Sequence, residues 1–233
     1  MAESGVRPWP EPRPTGEVNP SPASVAALAG RPDDNAIIML NLLRYSADDG
    51  RKAYARYGAA AGPVVKAQGG GPAYVGSVLG SDSELSSDSP RSSETRWDTA
   101  LLVRYPRRAA YLAMQTEPAY VGAIPDRTAG LSARLLYPFH NPGGPADDPF
   151  LVPDVGPDEA LVVCLSNDSL GRENNAGENG TTVLSLVGDM PMVSDGEWAT
   201  LTVLRFSSVE AANDNRPSSD TLWLVTQPQG RTR

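Results

Sequence analysis

Residues 97–114 read WDTALLVRYPRRAAYLAM, and residues 198–215 read WATLTVLRFSSVEAANDN. A constant offset lays Trp97 on Trp198, Thr99 on Thr200, Leu101 on Thr202, Val103 on Leu204, Arg104 on Arg205, Tyr105 on Phe206 and Ala110 on Ala211. Each copy is an apolar, β-branched run followed by a turn and the start of a helical pattern. Upstream, VGSVLG at residues 75–80 meets VLSLVG at residues 183–188, pairing Ser77 with Ser185 and Gly80 with Gly188. Two matches in the same order mark an internal duplication.

Outward from these anchors, the first half reads as strand, helix, strand, strand, helix, strand. Residues 36–44 (AIIMLNLLR) have the pattern of a strand buried on both faces, with Asn41 as the polar exception. Residues 50–68 place Tyr54, Tyr57, Gly58, Ala61 and Val65 at helical spacing, and Pro63 is expected to kink or restart that helix. Gly69, Gly70 and Gly71 stop it, and residues 72–79 resume as a strand. Residues 81–95 hold seven serines and four acids with nothing to pack, which predicts a mobile loop. Residues 97–105 are the third strand, Pro106 opens a second helix, and residues 132–137 (SARLLY) are the fourth strand. Between them residues 120–131 are helical in part, with Pro118 and Pro125 as breaks. This order is the split βαβ, or ferredoxin-like, unit, whose sheet carries both helices on one face and needs a cover on the other.

The second half supplies that cover. Residues 159–165 take the place of the first strand and residues 221–225 that of the fourth. Residues 167–180 (NDSLGRENNAGENG) are rich in Asn and Gly without apolar periodicity, so the second unit is expected to lack its first helix. The organisation is a Pro-rich tail at 1–35, a first unit at 36–140, a linker at 141–157, a degenerate second unit at 158–227 and a short tail at 228–233. Within the first tail, residues 24–29 have helical character with Ser24 as N-cap.

The chain has 233 residues and a net charge of -8, which argues against a phosphate-binding surface as its general strategy. Residues 36–140 carry 12 basic and 9 acidic side chains, residues 141–233 carry 5 and 14, and so the two halves attract. No apolar run approaches the roughly 20 residues that span a bilayer. The proline-broken N-terminus lacks a signal pattern, and the single cysteine, Cys164, excludes an internal disulfide, which together place the chain in a bacterial-type cytoplasm. Neither nucleic acid nor membrane is an expected partner.

Three segments resemble the bacterial domain-of-unknown-function family numbered 1330, of the dimeric α/β-barrel superfamily: IMLNLLRY at 38–45, GRKAYARYGAAAGPVVKAQGG at 50–70, and RWDTALLVRYPRRAAYLAMQTEPAY at 96–120. The resemblance spans residues 36–138, and the second half joins it only through the repeat. It implies an α+β fold in which two tandem ferredoxin-like units pair through their open sheet faces as an intramolecular dimeric α/β-barrel, a pseudo-dimer. It also implies a small-molecule pocket, between sheet and helices or inside the barrel. Superfamily relatives include cofactor-independent monooxygenases of antibiotic biosynthesis, muconolactone-type isomerases and haem enzymes, and fold does not select among them.

Chemistry-bearing residues are few. His140 is the only histidine and sits where a strand enters the linker, so neither a metal, a haem nor any other organic cofactor is expected. Cys164 reads as a small buried hydrophobe. Asp98 opens a strand beside Trp97 and next to Arg96, whereas its repeat partner is Ala199. Two readings stand for it: a surface salt bridge with Arg96, or an acid retained in one copy. Tyr54 and Tyr57 share a helix face that the second half lacks, and their hydroxyls either pack at a rim or bond a ligand oxygen. Asn41, if buried, must find partners in a ligand or a neighbouring side chain. The leading expectation is a small-molecule enzyme acting on an apolar aromatic or polyketide-like compound by oxygenation, isomerisation or cyclisation. Asp98 and Tyr54 are its candidate catalytic residues, and Asn41, Arg44, Tyr57 and Trp97 its candidate substrate contacts. The rival is a non-catalytic small-molecule-binding or assembly module, and either exists as a monomeric pseudo-dimer or a homodimer.

Overall fold

The apolar run after residue 36 is buried on both faces because its faces meet two different layers. In β1 (Ile37–Tyr45) the side chains of Ile38, Leu40 and Leu42 join one buried cluster, while Ile37 and Met39 join another. Alternation along a strand sends successive side chains to opposite sides of a sheet. The first cluster fills the inside of a barrel, and the second lies under helices.

A computed structural model describes residues 18–47, 49–79, 97–142, 144, 148, 150–152, 154–167, 180–194, 196–217 and 221–229. After β1 come α2 (Gly50–Ala67), β2 (Gly71–Val78), β3 (Thr99–Tyr105), α3 (Arg108–Met114), α4 (Pro118–Gly130) and β4 (Leu131–His140). The second half has β5 (Ala160–Ser166), β6 (Thr181–Gly188), β7 (Thr200–Phe206), α5 (Val209–Asp214) and β8 (Thr221–Pro228), and α1 (Pro22–Ala29) precedes β1. The strands close into an eight-stranded barrel in the order β1-β3-β2-β8-β5-β7-β6-β4, and every neighbouring pair is antiparallel. Counted within each half, both runs have the order fourth, first, third, second.

Two seams join the halves. β2 pairs with β8 through Gly76, Ser77 and Val78, and β4 pairs with β6 through Phe139 and His140. The fourth strand runs to His140, beyond the expected end at 137, and the added residues make that second seam. Hydroxyls cross the seams inside the protein. Thr226 donates to the Leu161 carbonyl at 2.7 Å and so accepts from Tyr74, also at 2.7 Å, while the Tyr137 hydroxyl accepts the Trp198 amide at 3.2 Å. A barrel of eight strands is just wide enough for side chains to fill. Here Trp97 and Trp198 enter from opposite halves, with Leu40, Leu102, Leu135, Val163 and Leu201 between them. Burying each such leucine or valine contributes roughly 1.5–3 kcal/mol.

Local expectations change in four places. Pro63 lies inside a continuous α2, because losing one donor does not stop a helix whose apolar face is packed. Pro118 starts α4 and Pro125 lies within it, so neither breaks the helix. The N-cap of α1 is Ser21, whose hydroxyl accepts the Ser24 amide at 3.0 Å, in place of Ser24. Residues 18–35, expected as an extended tail, pack on the body: Val18 and Leu28 are buried, and Arg31 pairs with Asp189 at 2.6 Å. The serine-rich stretch 81–95 and most of 167–180, where the second helix-less connection is expected, lie outside the described residues.

Gly188 ends β6 at the β4–β6 seam, where a Cβ would overlap the Trp198 carbonyl oxygen. Gly188→Ala is therefore expected to destabilise the chain by about 1–3 kcal/mol, read as a lower midpoint in urea with an unchanged slope. Cys164 is 1% exposed, and burial pushes its thiol up to about 12. Ellman's reagent is expected to leave the folded chain unmodified at pH 8 and to titrate the thiol only in denaturant.

Candidate functional site

The two halves of the barrel differ on their outer faces. The pairing registers place Cys164 in β5 where β1 has Asn41, since both sit opposite the equivalent positions Leu101 and Thr202. By the same register Thr221 stands where β4 has Arg134, and Trp223 where it has Leu136. In the second half this face is packed with Cys164, Phe206, Ala212 and Trp223, whose indole donates to the Ala212 carbonyl at 3.1 Å. The first half instead buries charge.

Helical spacing builds the layer above it. On α4, Tyr120, Ala123, Ile124 and Arg127 fall on one face. On α2, Tyr54, Tyr57 and Ala61 do the same. The two helices approach closely at Gly130, where a Cβ would lie 2.7 Å from the Tyr54 amide nitrogen. An exposed pair, Arg56 with Asp126 at 2.8 Å, spans them on the solvent side.

Between these helices and the sheet lie two guanidinium groups, Arg127 at 1% exposure and Arg134 at 6%. Arg134 donates to the Asn41 side-chain oxygen through both Nε, at 3.1 Å, and Nη2, and to the Val18 carbonyl at 3.2 Å. The Asn41 amide donates in turn to the Met39 carbonyl at 3.0 Å. Arg127 donates to the Asn19 side-chain oxygen at 2.8 Å, to the Tyr120 hydroxyl at 2.6 Å and to the Tyr57 hydroxyl at 3.2 Å. Its guanidinium also lies over both rings, 5.0 Å from the Tyr57 centroid and 5.3 Å from that of Tyr120. Tyr54 stacks tilted against Tyr57 with centroids 5.3 Å apart. The Tyr111 hydroxyl is buried without a hydrogen-bond partner among the described residues. Among the described residues, every acceptor of these two arginines is neutral.

Charge and burial pull these phenols in opposite directions. Burial raises Tyr54 and Tyr111 above the usual tyrosine range, and burial with the neighbouring Tyr120 pushes Tyr57 up to about 12. Burial also disfavours ionisation of Tyr120, yet the charges of Arg127 and Arg134 outweigh it and hold that phenol below its ordinary value. Of the coupled pair, Tyr120 has the shorter bond to Arg127 and gives up its proton first. The cluster thus holds one acidic phenol among reluctant ones.

The expected residues divide. Asn41, Tyr54 and Tyr57 come together around the arginines. Asp98 sits at the end of the sheet, its carboxylate accepting the Tyr45 amide at 2.8 Å, and Arg96 beside it lies outside the described residues. Trp97 fills the barrel on the opposite side of the sheet. Arg44 pairs with Ala133 one residue before β1 ends. The sequence reading passed over Arg127, Arg134, Tyr111 and Tyr120. Arg134 carried a signal, as a charge inside the apolar run SARLLY, and so did Tyr120 and Arg127, two helical turns apart.

The class that fold and site define is a closed antiparallel α/β barrel with a buried tyrosine–arginine cluster in one of its two helix layers. Among solved structures it is similar to a protein of unknown function from Rhodopseudomonas palustris, at 30% identity over 53% of this chain and 95% of that one, with a TM-score of 0.44. It is also similar to candidate monooxygenases from Lactobacillus acidophilus (10% identity, 83% of this chain, 94% of that one, TM-score 0.43) and Fusobacterium nucleatum (11%, 83%, 92%, TM-score 0.41). No family model and no curated protein matches the chain. Among the described residues, no helix is long and apolar enough to cross a membrane.

Absorbance at 295 nm is expected to show a tyrosine ionising below pH 10 in the folded chain, and Tyr120→Phe is expected to remove that step and to lower the Tyr57 value. For the raised phenols the folded value lies above the unfolded one, so their contribution to stability is complete below pH about 10. It is lost as pH rises through about 12, the value for Tyr57 and Tyr74, and urea midpoints are expected to fall over that window.

Proposed function

We propose that the chain is a small-molecule enzyme built as an intramolecular pseudo-dimer of ferredoxin-like units, the first keeping a site and the second serving as scaffold. Residues 36–138 are, in this reading, a unit of the family numbered 1330, and the repeated strand order supports the duplication. The substrate is an apolar aromatic or polyketide-like compound held against the outer face of β1 and β4, under α2 and α4.

The observation that carries the proposal is the 2.6 Å hydrogen bond from buried Arg127 to buried Tyr120. A phenol kept acidic by a guanidinium exchanges a proton with a carbon acid more readily than an ordinary tyrosine. The same guanidinium, with the hydroxyls of Tyr54 and Tyr57, stabilises charge developing on an adjacent carbonyl oxygen. Isomerisation and cyclisation both begin with that proton transfer. Tyr120 takes the role first expected of Asp98, whose carboxylate is engaged by the Tyr45 amide.

Hydroxylated polycyclic aryl ketones, incubated with the chain in heavy water, test this. Deuterium is expected to enter the position next to the carbonyl faster than in buffer, and Tyr120→Phe is expected to lower that rate about 100-fold. Asp98→Asn is expected to leave it nearly unchanged. Exchange no faster than in buffer across the panel defeats the enzyme reading, and equal rates in Tyr120→Phe remove Tyr120 from it.

A further inference from the structure

An arginine buried away from water is costly unless an opposite charge or a full set of hydrogen bonds compensates it. Among the described residues, neither Arg127 nor Arg134 has a carboxylate partner. Their acceptors are two phenols, two side-chain amides and one backbone carbonyl. The Arg127 Nη2 donates to nothing among the described residues, although a guanidinium has five donors in all. The Tyr111 hydroxyl, on a residue 3% exposed, also has no acceptor among the described residues, and the charges of both arginines reach it. Two buried guanidinium charges thus lie together with neutral acceptors alone among the described residues.

The fold itself does not require this. The second half builds the same face with Cys164 and Thr221 where the first has Asn41 and Arg134, and there it packs apolar side chains. Two of the neutral acceptors also come from outside both units. Val18 and Asn19 belong to the segment before α1, and they take one donor from each arginine. The walls around the donors are rings and aliphatic chains: Tyr54, Tyr57, Tyr120, Met39 and Leu136.

Resting on the reading of this cluster as the ligand site, we propose that its ligand is an aromatic or polyketide-like carboxylic acid whose carboxylate sits between Arg127 and Arg134, in place of the Val18 carbonyl and the Asn19 amide. A planar carboxylate matches the guanidinium fork and supplies the negative charge that no acid among the described residues provides there. The aromatic body lies against the tyrosine rings. Residues 18–19 act as a strap that occupies the two donors when no acid is bound.

Calorimetric titration of the full chain with 2-naphthoate and with neutral 2-naphthamide tests the proposal. The acid is expected to bind at least about tenfold more tightly than the amide, the scale of a charged hydrogen bond. Arg127→Gln and Arg134→Gln are each expected to abolish that preference. Asn19→Ala, which removes a competing acceptor and keeps both arginines, is expected to tighten naphthoate alone. Should either arginine variant fail to fold by circular dichroism, the wild-type pair and Asn19→Ala decide the matter. Equal binding of acid and amide overturns the carboxylate and leaves the small-molecule site standing. So does absence of naphthoate binding in a chain that still exchanges the aryl ketones. If inorganic phosphate competes as well as naphthoate, the planar carboxylate is likewise overturned. Failure of both titration and exchange takes down the site reading too.

Discussion

An open four-stranded sheet has two edges, and each edge is a row of backbone donors and acceptors that must be paired or wetted. In this chain each half pairs the other's edges, through β2 with β8 and β4 with β6. That closure governs everything else. It turns the inner faces of both sheets into one dry interior, where alternate side chains of all eight strands meet, and it leaves the outer faces to be covered by helices. A seam is short, so it tolerates little error. Gly188 is there because the Trp198 carbonyl leaves no room for a side chain, and Tyr74 and Thr226 satisfy each other where β2 meets β8.

Once the interior is shared, the outer faces are free to diverge. The second half spends its face on packing, with Trp223 and Phe206 packed beside the short helix α5. The first half has two long helices over its face, and the space between them and β1–β4 holds charge in place of hydrocarbon. Buried charge is weak evidence for stability, since an apolar replacement is often as good or better. Among the described residues it lies in the first half, where Val18 and Asn19 each accept from one of the two arginines.

The shared strand order of the two halves was legible because Trp97, Thr99, Arg104 and Tyr105 recur in order at Trp198, Thr200, Arg205 and Phe206. Both tryptophans fill the same interior, and both arginine-ended strands are the third of their sheet. The helices were legible as amphipathic patterns, yet their proline content misled. Pro63 and Pro125 look like breaks in a local reading, whereas packing of the opposite face holds α2 and α4 through them. Local preference is worth a few kcal/mol at most, and tertiary burial overrides it.

Sequence alone determined the strand runs and their order, because alternation and spacing are properties of neighbours along the chain. It also singled out Asn41, Tyr54 and Tyr57 as polar groups in apolar settings. Only the tertiary structure decided which face of each strand those groups share, and with whom. Asn41 and Arg134 lie far apart in sequence, and Arg127 reaches Asn19 across a still longer separation. A charge in the run SARLLY or on α4 reads locally as a solvated side chain. It becomes a candidate site when barrel closure and helix packing take its water away and, among the described residues, supply no acid to replace it.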